Sequence, residues 1–91
     1  MLHGLIDIPT IHYFEENNIW TGSLFERFNY RITPVRDDAK AELLCQIWYG
    51  RLCYDLTESF EAENTEAITA DGLKKTIDFI NSEALKYKES H

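Results

Sequence analysis

Glycine is scarce in this chain of 91 residues, with four copies at positions 4, 22, 50 and 72, no two within a turn of each other. That spacing excludes a phosphate-cradling loop, because a P-loop or dinucleotide fingerprint needs clustered glycines for the backbone N–H groups to close on phosphate. Histidine is equally sparse. His3, His12 and His91 include no pair at ligand spacing. A zinc site would have to be assembled from distant parts of the chain, so no metal is expected. There is no uninterrupted apolar run of the roughly 18 residues a membrane helix needs, and "MLHGLIDIPT" has no basic residue ahead of its short apolar stretch. These absences predict a cytoplasmic chain with neither a membrane span nor a secretion signal. Its two cysteines, Cys45 and Cys53, are then expected to be reduced.

Positive charge is the minority sign, with 9 Lys and Arg against 16 Asp and Glu, for a net charge of −7. The imbalance is local: residues 52–68 hold −5, residues 25–51 hold +1, and residues 69–91 balance. An acidic chain repels a phosphate backbone, so nucleic acid is not an expected partner. Hydrophobic residues make up 44% of the chain, which is the composition of a folded domain, and residues 1–91 are read as one domain.

The residues that are present show two periods. In "RFNYRIT", Phe28, Tyr30 and Ile32 share one parity and Arg27, Asn29 and Arg31 the other, the alternation of a half-buried strand. Pro34 is expected to end it. Upstream, "IHYF" and "NIWTG" read as two strands around an "EENN" turn, with His12 on the polar face. Residues 39–54 carry both patterns. A strand puts Leu43, Cys45, Ile47 and Tyr49 on one face, and a helix makes a stripe of Leu44, Ile47, Trp48 and Leu52. Strand, turn at Gly50, strand is the preferred reading, since a mid-helix glycine costs about 1 kcal/mol. Cys45 and Cys53 could then face each other across that hairpin. A further short strand is placed at Ser59 to Glu63. Leu73, Ile77, Ile80 and Ala84 recur at helical spacing, predicting an amphipathic helix over about 70–88, with Thr69 as N-cap, Asp71 in the first turn and Gly72 as a local weakness.

Strands within about 10–63 followed by one helix predict an α+β fold: a four-stranded antiparallel β-meander with a C-terminal amphipathic helix packed on one face. The other face would then carry Arg27, Asn29 and Arg31 beside Leu44, Gln46 and Trp48. A guanidinium packs well on an indole, so Arg27, Arg31 and Trp48 form a candidate binding set for a planar or anionic ligand or a protein partner. The competing structural explanation is that the two arginine stems simply shield Leu44 and Trp48 from water.

The pieces "WTGSLFERFNYRI", "QIWYG" and "ITADGLKKTIDFIN" resemble a family of small uncharacterised proteins from anaerobic Firmicutes. The shared positions are Gly22, Ser23, Phe28, Tyr30, Arg31, Ile32, Trp48, Gly50, Asp71, Gly72 and Leu73. Asn29 departs from that pattern, standing where an arginine is usual, and Tyr49 and Arg51 stand where prolines are frequent. The resemblance favours the strand reading of residues 42–57 and implies no established activity. Proteins of this kind sometimes carry an acetyltransferase label, which the scattered glycines argue against.

No nucleophile, base and orienting group fall together. Cys45 sits on the apolar parity, Ser23 in a loop-like "TGSL", and Glu15-Glu16 and Asp37-Asp38 in polar turns. The expected role is therefore non-catalytic and cofactor-free: a protein-interaction or assembly module whose expected partner is an unknown protein or a second copy bound through a strand edge or the open sheet face. The alternative is a small-molecule or anion-binding accessory protein using Arg27, Arg31 and Trp48.

Overall fold

A computed structural model describes residues 2–3, 6–25, 27–36, 40–50 and 60–90. Two short strands, β1 (Leu2–His3) and β2 (Ile6–Asp7), pair with each other and precede the short helix α1 (Ile11–Glu15). The main sheet follows: β3 (Trp20–Leu24), β4 (Phe28–Arg36), β5 (Ala41–Tyr49) and β6 (Ala62–Ala67), all antiparallel neighbours in chain order. The C-terminal helix α2 (Ala70–Ser90) closes one face. This is an α+β fold with a four-stranded antiparallel meander and a C-terminal helix, as the two periods predict.

Register follows from parity. Phe28, Tyr30 and Ile32 stand opposite Tyr49, Ile47 and Cys45. All but half-buried Tyr49 are buried, in one core with Leu43 and the α2 stripe Leu73, Ile77, Ile80, Ala84 and Tyr87. The strand reading of residues 41–49 is thus the correct one, because alternation puts every large apolar residue there to use. The strand placed after Gly50, and with it Cys53, lies outside the described residues. Gly50 has φ +107, a conformation that favours glycine, and its N–H donates to the Arg27 carbonyl at 2.8 Å, closing the end of the β4–β5 ladder.

Four details of the sequence reading are corrected. "IHYF" is helical, not a strand: Phe14 is fully buried, Tyr13 packs edge-on against Trp20 at 5.8 Å, and His12 is exposed beside Glu15. β4 runs past Pro34 to Arg36. β3 stops at the Trp20–Ile32 pair, so among the described residues positions 33–36 pair with β5 alone, and a missing donor can face the other side. The strand expected at Ser59 to Glu63 is β6 at Ala62–Ala67, whose first residue stands opposite Ile47. Gly72 is a packing requirement. A Cβ there would overlap the Ala67 carbonyl where β6 turns into α2. Thr69 acts as predicted, its Oγ1 accepting from the Gly72 N–H at 2.9 Å.

Candidate functional site

The outward face of the sheet carries a polar row in register across all four strands: Thr21, Arg31, Gln46 and Glu63. The Gln46 amide nitrogen donates to Glu63 Oε2 at 3.1 Å. Gln46 is only 6% exposed, and its Oε1 is buried without a hydrogen-bond partner among the described residues. Two residues along, on the same face, is the row Ser23, Asn29 and Trp48. Asn29 does not face solvent as a ligand group would. Its side-chain amide donates to the carbonyls of Gly50 at 2.9 Å and Trp48 at 3.2 Å, fastening β4 to the end of β5.

The predicted trio is only partly assembled. Arg31 and Trp48 do share the outward face on neighbouring strands, offset by two residues. Trp48 is 6% exposed and packs edge-on against Phe60, with ring centroids 6.0 Å apart, so its indole is a packed side chain and not an open stacking platform. Arg27 belongs elsewhere, in the turn between β3 and β4, and lines a shallow cleft of about 200 Å³ with Tyr49, Gly50 and Tyr87.

That cleft sits on an aromatic cluster which the sequence reading missed. Tyr87 lies 4.7 Å from Tyr49, 5.8 Å from Phe28 and stacks on Phe25 at 6.2 Å (ring centroids), with Lys88 above the Phe25 face. Burial pushes the Tyr49 hydroxyl above its ordinary range, and Glu61, Glu83 and Tyr87 push in the same direction. The Tyr87 contribution could have been found by extending the α2 stripe one more step, from Ala84 to Tyr87. Arg27 makes no ion pair among the described residues. Cys45 is fully buried, and burial raises its thiol to about 12, which makes it an inert core residue at neutral pH. No group of three or more His, Cys, Asp or Glu among the described residues could hold a metal ion, and no described helix is long and apolar enough to cross a membrane.

The two sheet edges differ in chemistry. β6 carries Glu63 and Glu66 within six residues and follows Glu61. β3, "WTGSL", has neither charge nor proline, the usual devices that keep an edge from pairing. Among the described residues it pairs with β4 alone, and it is flanked by Ile19 and Phe25, exposed to 43% and 41%. Gly22 at its centre has the Tyr30 ring where a Cβ would go. Comparisons with family models, curated proteins and solved structures find no match to this chain.

Proposed function

We propose that this protein is a non-catalytic assembly module of the cytoplasm that takes up a further β-strand along β3. The uncharged edge with an exposed apolar residue at each end carries the reading. Main-chain groups along such an edge offer a pairing template, and the flanking side chains gain buried area when a strand is added. The net charge of −7 argues against nucleic acid as the partner. The resemblance to small Firmicutes proteins is kept as part of this proposal, since "WTGSL" itself falls within the shared pieces.

The test compares gentle affinity purification of the wild type, a Thr21→Lys/Ser23→Lys variant and a Thr65→Lys variant on β6. All three positions are exposed, so stability should be unaffected within about 0.5 kcal/mol. A retained chain, whether a copy of itself or another protein, should be lost from the β3 variant alone. Identical retention by all three would sink the proposal.

A second reading has its own observation, the cleft of Arg27, Tyr49, Gly50 and Tyr87. There a guanidinium stands beside two tyrosine rings, a setting for a small planar anion such as an aromatic carboxylate. This relocates the anion-binding alternative from the outward face to the cleft. Native mass spectrometry decides it: a bound anion retained by the wild type and absent from Arg27→Gln supports this reading, and a bare wild-type chain in benzoate-containing buffer refutes it.

A further inference from the structure

Resting on the β3 reading above, we infer that the strand added along this edge is β3 of a second copy of the same chain, antiparallel and centred on Gly22. The segment from Ile19 to Phe25, "IWTGSLF", has the same pattern in either direction: two apolar residues, a small hydroxyl, glycine, a small hydroxyl, two apolar residues. Such symmetry is what a two-fold interface requires, because every residue must suit its own mirror position in the partner. Centred on Gly22, the pairing sets Trp20 opposite Leu24 and Thr21 opposite Ser23, each twice, with Ile19 and Phe25 flanking the ladder at its two ends.

The burial pattern agrees with that pairing. Trp20 and Leu24 point to the core side of the sheet and are only half-buried, so each copy would complete the cover of the other's core edge. Thr21 and Ser23 are exposed on the opposite side, and small hydroxyl residues opposite one another are compatible with a continuous sheet. Gly22, with no side chain on either face, lets the two backbones approach at the axis. Charge selects the edge. In a chain of net charge −7, a self-pairing through β6 would gather Glu61, Glu63 and Glu66 against their copies, whereas the β3 pairing brings no charged residue of Ile19 to Phe25 into contact.

Register can be tested directly. In a Cys53→Ser background, proteins carrying Thr21→Cys alone or Ser23→Cys alone are mixed and oxidised gently. Directly opposed Cβ atoms lie about 4.5–5.5 Å apart, while equivalent residues are displaced along the strands by two positions. The mixed disulfide should therefore form in excess of either same-residue disulfide. Sedimentation over about two decades of concentration should show a wild-type dimer, weakened at least tenfold by Thr21→Lys/Ser23→Lys through two repeated like-charge pairs. Thr65→Lys should leave it intact.

A same-residue disulfide as the main product would mean another register or a parallel pairing and overturns the inference, as does a dimer insensitive to the β3 lysines. A monomeric wild type that still retains a different protein in a β3-dependent manner overturns the self-pairing while leaving strand addition standing. A monomer with no β3-dependent partner removes both.

Discussion

Replacing Gly72 by alanine should destabilise this protein, although the same change in an ordinary helix stabilises it by about 1 kcal/mol. The reason lies at the junction of β6 and α2. A Cβ on Gly72 would overlap the Ala67 carbonyl oxygen and stand 2.8 Å from the carbonyl carbon and 3.1 Å from the Ala67 nitrogen. These are backbone atoms of a paired strand and cannot rotate aside. Gly72 cannot easily retreat either, because its N–H donates to Thr69 Oγ1 and its carbonyl accepts from Thr76 Oγ1, both at 2.9 Å. Relief of the overlap therefore sacrifices one or both bonds, at about 1 kcal/mol each, in addition to the 1–3 kcal/mol typical of overpacking.

After the gain in helix propensity is subtracted, the expected loss is about 1–4 kcal/mol. For a domain of this size that lowers the thermal midpoint by roughly 4 °C or more per kcal/mol. Far-UV circular dichroism melts and urea titrations of Gly72→Ala against wild type measure it. Ser82→Ala on the exposed side of α2 is the control, and should be neutral or slightly stabilising. A Gly72→Ala midpoint at or above the wild type would show that the β6–α2 junction yields freely, and the packing argument would fail.

Asn29→Ala should cost about 1–3 kcal/mol in a urea titration, since the partly buried carbonyls of Trp48 and Gly50 lose their side-chain donor. Thr69→Ala should cost about 1 kcal/mol by the same assay through loss of the α2 cap. Cys45 has a folded pKa of about 12 against an ordinary 9.0, so between these values the unfolded chain gives up a proton that the native chain keeps. Stability should be fully present below about pH 9 and fall as pH rises toward 12, and the raised Tyr49 adds to the loss in the same direction. Replacing Cys45 by alanine should flatten part of that decline, which melts at a series of alkaline pH values would reveal.

Where a period ran long enough to distinguish 2.0 from 3.6, the sequence was legible. Phe28, Tyr30 and Ile32 define the buried face of β4, and Leu73, Ile77, Ile80 and Ala84 define that of α2. "IHYF" is too short for either period to show, so β-propensity was a poor guide to a segment whose helix is set by packing Phe14 into the core. The role of Gly72 is hidden for a related reason, because propensity describes a helix alone and the deciding atom belongs to Ala67. Arg27 stands apart from the candidate trio because it lies one residue before β4, in a turn where parity no longer assigns a face. Parity assigns Trp48 to the outward side, but it says nothing of what covers that side, where Phe60 packs from beyond the strand.

The arginines interleaved with aromatics in this acidic chain consequently do three separate jobs and form no common patch. Arg27 offers its carbonyl to Gly50 and its side chain to the cleft. Arg31 stands in the row that continues through Gln46 to Glu63. Arg36, at the far end of β4, donates to the Glu15 carbonyl at 3.0 Å and to Asn17 Oδ1 at 2.8 Å, satisfying a carbonyl at the end of α1 and tying that helix to the sheet. None of the three lies on β3. The edge left without charge is the one whose sequence repeats itself in reverse, which is why self-pairing, and not an arginine site, is the interaction proposed.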